Sequence, residues 1–177
     1  MEEFWDLFDD NRVFLNKQCR RGDKIAAGEN HIIIEVWTVN SAGELLLTLR
    51  HPDKREYANK WEDTGGCAMA GESSRQATVR ELFEERGIAA RKEELIFLGT
   101  VKESTSFTDI YMLHRDVSVD ALRLCEGETM AAKWVTLKVL DSMIADESLA
   151  LYAGRRLCHV RKEFEKHIKA VSEALPG

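Results

Sequence analysis

The sequence predicts one α/β domain built as a sandwich of strands and helices. Three observations carry that expectation. Short runs rich in Ile, Val, Leu and Trp alternate with turn residues over most of the chain. Residues 71–87 form a helical pattern bounded by glycines, with Ser73 and Gln76 spaced as a capping box. Residues 155–170 carry Leu157, Val160, Phe164 and Ile168 at steps of three and four, which make one apolar helix face. Strands interleaved with a few helices pack as layers around one core, and 177 residues suit one such domain. The whole of 1–177 is therefore read as a single domain, with 1–29 as an N-terminal strand and loop extension.

The elements follow in order. Residues 4–22 read as strand, turn and strand around Asp9-Asp10-Asn11, and residues 20–30 as a polar loop. Residues 31–39 form a central strand, followed by the Asn40-Ser41-Ala42-Gly43 turn and a second strand at 44–50, expected to pair as a hairpin. Residues 51–64 are polar and irregular, and Gly65-Gly66 is expected to break the chain again. In the helix that follows, Ala77, Leu82 and Phe83 are expected to face a sheet, and Gly87 to stop it as a left-handed cap. Further strands are expected at 95–101, 108–115 and 131–135, with a charged connection at 117–127 and a helix over 136–145.

Lys and Arg total 25 against 31 Asp and Glu, a net charge of −6. That balance argues against a nucleic-acid polymer or an anionic membrane as partner. It leaves open an anionic small molecule carried by divalent cations. There is no 18-residue apolar run and no signal-peptide pattern, and the four dispersed cysteines form no CxxC pair. A reducing, cytoplasmic setting is the expectation.

The chemistry concentrates between Gly66 and Ile88. On a helix, Glu81, Glu84 and Glu85 fall at i, i+3 and i+4 on one face, where they repel one another. A hard cation such as Mg²⁺ or Mn²⁺ would relieve that repulsion. Glu72, in the Gly-rich turn just before the helix, could add a fourth carboxylate. Such a face is also compatible with plain solvation, and Arg80 and Arg86 could neutralise it without metal. A loop bounded by glycines and leading into a helix favours the functional reading, because its free N–H groups can hold phosphate.

This spacing resembles the Nudix box. The family pattern is Gly, five residues, Glu, seven residues, Arg-Glu, an aliphatic residue, any residue, Glu-Glu, any residue, Gly and an aliphatic residue. Gly66, Glu72, Arg80, Glu81, Leu82, Glu84, Glu85, Gly87 and Ile88 meet every position. The order of flanking strands, ending in the Trp134 strand, is similar to the family over residues 30–145. The resemblance implies an α/β/α sandwich with a mixed sheet, and a hydrolase that acts on a nucleoside diphosphate linked to another moiety. It implies Mg²⁺ or Mn²⁺ held by Glu81, Glu84, Glu85 and the Gly66 carbonyl, with Arg80 fixing the carboxylates. Water would attack phosphorus.

The general base varies in such enzymes. Glu128 is the preferred candidate outside the box, with Glu103 another. Arg50, Trp61 and Glu72 are candidates to bind substrate, each with an ordinary structural role as the alternative. The N-terminal segment also looks like bacterial Nudix proteins near isopentenyl-diphosphate isomerase. Aligned on Gly71-Glu72, however, Gly65 and Cys67 stand where that enzyme has its catalytic Cys and metal-binding His. An isomerase-like enzyme and a noncatalytic nucleotide-binding module are the alternatives. The moiety attached to the diphosphate is left open, as is a homodimer through the N-terminal strands.

Overall fold

A computed structural model describes residues 2–173. The chain begins with a separate antiparallel hairpin, β1 (Phe4–Phe8) and β2 (Phe14–Arg20). Its turn closes because the Asp9 carboxylate accepts the backbone N–H groups of Asn11 and Val13, at 2.9 and 2.8 Å. The main sheet has seven strands: β3 (His31–Val39), β4 (Leu45–Arg50), β5 (Trp61–Glu62), β6 (Thr64–Cys67), β7 (Leu95–Lys102), β8 (Ser106–His114) and β9 (Thr129–Val135). The sheet is mixed, since β3 runs parallel to β8 while its other pairs are antiparallel. Helix α1 (Ser74–Arg86) covers one face, and α2 (Leu137–Ala145) with α3 (Leu151–Glu173) covers the other. The result is the expected α/β/α sandwich. Covered on both sides, β3 is buried at every position but Ile33.

The expected β3–β4 hairpin exists only at its turn, where Val39 pairs with Leu45. Beyond that point the two strands diverge. β4 pairs with β9, and β3 takes β6 as its neighbour. Gly65 and Gly66 therefore do not break the chain; they lie within β6, opposite Glu35 and Ile34. A Cβ on Gly65 would come within 3.2 Å of the Ile34 carbonyl, so glycine permits this close backbone approach.

Helix α1 begins as expected. Ser73 and Gln76 form both halves of the capping box, and Gly87 ends the helix at φ 70°. Ala77 and Leu82 are buried, but Phe83 is 56% exposed. The reason is angular. Thr78, Leu82 and Arg86 recur every four residues and define the buried stripe, and Phe83 sits about 100° further round the helix. Arg86 is tolerated inside because its guanidinium donates to Thr48 Oγ1 at 2.6 Å and to the Asp63 carbonyl at 3.3 Å. On the opposite face, Leu157, Val160, Phe164 and Ile168 of α3 pack with Leu140 and Met143 of α2 against Trp37, Ile110 and Met112.

Candidate active site

A cleft of about 390 Å³ opens where β3 and β4 diverge. Gly66, Arg80, Glu81, Glu84 and Glu85 line one side, and Arg50 and Glu128 also face it. Seven residues singled out from the sequence thus share one concavity, although they come from β4, β6, α1 and the loop before β9. Trp61 and Glu72 are not on its wall. The ring of Trp61 instead carries the Lys133 ammonium, 3.9 Å from its centroid. Glu103 is not on this wall either; it lines an adjoining concavity that shares Arg50, Gly65, Gly66 and Cys67 with the cleft, and is bonded to Arg156 at 2.6 Å.

Arg80 organises the box. Its Nε and Nη2 donate to the two Glu72 oxygens at 2.8 and 2.9 Å, and Nη1 donates to Glu81 at 2.8 Å and Glu84 at 3.0 Å. Nη2 also reaches the Cys67 carbonyl at 3.0 Å, which ties α1 to β6. The rigid planar fork suits this work better than an ammonium. Glu72 additionally accepts the Met69 N–H at 2.9 Å. Burial acts to raise its pKa, but the Arg80 and Met69 hydrogen bonds outweigh burial and hold it below the usual carboxylate range.

Glu81 lies directly against β6. A Cβ on Gly66 would overlap the Glu81 carboxyl group and stand 2.8 Å from its Cγ, so any side chain there would displace the glutamate. Burial raises the pKa of Glu81 despite Arg80. The pKa of Glu85 is pushed up to about 7, chiefly by burial, with Glu81, Glu62 and Glu128 adding and Arg86 opposing. Across the cleft, Arg50 Nη1 donates to Glu62 at 2.8 Å, and Lys54 Nζ to Glu128 at 2.5 Å.

Among the described residues, no three His, Cys, Asp or Glu side chains form a ready-made metal cluster. In its place, Arg80 occupies Glu81 and Glu84. The donors nevertheless fit a hard divalent ion by their chemistry. They are carboxylates, the hard oxygen donors such an ion prefers, and Glu81, Glu84 and Glu85 line one cleft.

Several polar residues around the cleft carried no strong signal in the sequence. Glu3, Arg21, Lys54 and Glu62 line it, and Glu35 and Asp63 extend the acidic group behind Glu62. Glu35 alone had a local sign, as the one acid inside the apolar run of β3.

A carboxylate-bearing helix laid over a glycine strand in a mixed-sheet sandwich defines the Nudix class of protein. Residues 29–153 match the NUDIX domain model. An uncharacterized Nudix hydrolase of Listeria monocytogenes is 35% identical over 81% of this chain and 85% of its own length. The isopentenyl-diphosphate Delta-isomerase of Escherichia coli is 25% identical over 60% of this chain and 62% of its own. A crystal structure from Deinococcus radiodurans shares the fold, with a TM-score of 0.72 at 24% identity, covering 90% of this chain and 98% of the other. The chain belongs to the Nudix family.

Proposed function

We propose that this chain is a pyrophosphohydrolase that cleaves a small-molecule diphosphate derivative by attack of water on phosphorus, with Mg²⁺ or Mn²⁺ as cofactor. One observation carries the reading. The three helix carboxylates, Glu81, Glu84 and Glu85, and their organising arginine line a single cleft with Arg50 and Glu128.

Glu81, Glu84, Glu85 and the Gly66 carbonyl are the groups to hold the ion. When bound, it supplies charge neutralisation for the diphosphate and acidifies water. The chain's own residues do the rest. Arg80 keeps Glu81 and Glu84 converged. Arg50, anchored on Glu62, presents its remaining donors toward a phosphate oxygen. Glu128 is the candidate to take the proton of the attacking water, with Lys54 fixing its carboxylate. Glu72 supports substrate binding indirectly, by completing the Arg80 fork.

The isomerase reading is disfavoured by the residues at the two critical places. Gly65 has no side chain to transfer a proton. The Cys67 thiol is pushed up to about 11 by burial, and thiolate is a soft ligand poorly suited to Mg²⁺. A purely binding module would not need the full carboxylate set. Exposed Val13, Phe14 and Leu15 support a homodimer through the N-terminal strands. Sedimentation of a Phe14→Ser, Leu15→Ser variant checks that association.

The deciding experiment is a panel of ADP-ribose, nucleotide sugars, dinucleoside polyphosphates, oxidised nucleotides, coenzyme A derivatives and isopentenyl diphosphate. Phosphate-bearing products are measured with Mg²⁺ and Mn²⁺. Hydrolysis that is lost in Glu85→Gln is expected. Full activity in that variant, or an isomeric product without cleavage, overturns the reading.

A further inference from the structure

The N-terminal hairpin lies outside the 29–153 family match, yet its open end reaches the candidate active site. Glu3 precedes β1 and Arg21 follows β2, and both line the cleft beside Gly66 and Glu81. The hairpin is held to the box loop at defined points. The Phe4 carbonyl accepts the Ala70 N–H at 2.7 Å, and the Asp6 carboxylate accepts the Gly71 N–H at 2.7 Å. Trp5 stacks on His31 with ring centroids 4.3 Å apart, and Phe8 exchanges two backbone hydrogen bonds with Asn30, each 2.8 Å. The turn end is pinned separately by the ion pair of Arg12 with the buried Asp109. Arg21 is therefore placed by a fixed scaffold.

Among the described residues four cations face this cleft, and they differ in freedom. The side chains of Arg80, Arg50 and Lys54 are 18%, 22% and 29% exposed, and each is tied to glutamates of the site. The side chain of Arg21 is 65% exposed. Among the described residues, its guanidinium bonds one side chain, Glu3, through Nη1 at 2.7 Å, and that partner belongs to the same hairpin. A guanidinium with donors to spare, at the rim of a diphosphate site, is suited to a bidentate phosphate contact.

We propose that Arg21 is a substrate-binding residue, supplied by the N-terminal hairpin, that grips a phosphate oxygen of the diphosphate, with Glu3 as the partner it exchanges for the phosphate. The proposal rests on the diphosphate reading above. Exchange costs little because the Arg21–Glu3 pair is exposed at the surface. It makes the hairpin part of the site and not a mere extension.

Calorimetric titration with methylenediphosphonate, a non-hydrolysable diphosphate, tests this with and without Mg²⁺. Arg21→Ala is expected to weaken binding about tenfold, as for one lost charge-assisted hydrogen bond. Arg21→Lys should restore part of the affinity, and Glu3→Gln should tighten binding by releasing Arg21. Arg20→Ala, whose side chain pairs with Glu2 and Asp23, should bind like wild type. In turnover, Arg21→Ala should raise KM more than it lowers kcat. Unchanged affinity in Arg21→Ala, while Glu85→Gln remains inactive, overturns the role of Arg21 alone. No binding by the wild-type chain overturns the diphosphate reading and this proposal together.

Discussion

Two acidic groups flank β6, and they are organised by opposite rules. On the α1 side, Glu72, Glu81 and Glu84 gather round one arginine, and Glu84 remains half exposed. On the other side, Glu35 and Asp63 are fully buried. Glu35 accepts from Trp37 Nε1 at 3.1 Å and from Arg156 at 3.4 Å, while neither Asp63 carboxylate oxygen has a hydrogen-bond partner among the described residues. Burial pushes Glu35 up to about 7 and Asp63 well above the usual range. The outer group is gathered by one shared guanidinium. In the inner group burial works against the ionised form, opposed for Glu35 by Arg156 and for Asp63 by no hydrogen bond to its carboxylate oxygens among the described residues. Acidity of composition thus means opposite things a few residues apart.

This contrast can be broken most forcefully at Arg156, which serves Glu35 and Glu103 together. Arg156→Met leaves Glu35 without its cation and Glu103 with only Arg155, at 3.6 Å, and is expected to cost about 3–5 kcal/mol in urea unfolding at neutral pH. The kcat of the folded fraction should stay within about threefold. Similar loss of stability in Arg80→Met would erase the distinction, because that outer variant should cost turnover and only about 1 kcal/mol of stability.

Glu85→Gln sharpens the contrast from the other side. The raised pKa means that the ionised carboxylate disfavours the fold. Without metal, wild-type stability should therefore fall as pH rises from about 4.5 to 7. The variant should escape that fall and gain about 2 kcal/mol at pH 8 while losing turnover. Chemical denaturation in a chelating buffer reads both effects.

His31 tests the inner region's avoidance of charge. Burial lowers its pKa to about 4, against 6.5 unfolded, so the unfolded chain binds the proton first as pH falls. Wild type should lose about 2 kcal/mol relative to His31→Phe between pH 7 and pH 5, measured by paired unfolding curves. A parallel pH profile for the two proteins sinks that account. The smallest effect is expected at Phe83, whose exposed ring contributes little. Phe83→Ala should shift stability by under about 0.5 kcal/mol and leave KM unchanged.

The strands and caps were legible where local chemistry decides. The residues 31–39 run, the Ser73–Gln76 capping box, the Gly87 stop and the α3 stripe were all readable because periodicity and capping are encoded within a turn or two. The short β5 and β6 were not, because Trp61-Glu62 and Thr64-Gly65-Gly66-Cys67 gain strand structure only from distant partners in β4 and β3. Gly65-Gly66 reads locally as a break, yet the approach of Ile34 and Glu81 makes it a strand. Phe83 failed for a related reason. Hydrophobicity suggested the core, but the stripe that ends in buried Arg86 sets the helix rotation.

By itself, the sequence determined the α/β class and the box from Gly66 to Ile88, because both rest on spacing along one element. Tertiary structure decided what faces the box. The divergence of β3 from β4 opens the cleft, brings Arg50, Glu128 and Arg21 to it, and leaves Trp61 and Glu72 off its wall. It also decided how each acid is poised, since that depends on burial and on cations from distant segments: Arg80 holds Glu72 low, while burial outweighs Arg156 and raises Glu35. No linear pattern records such distances.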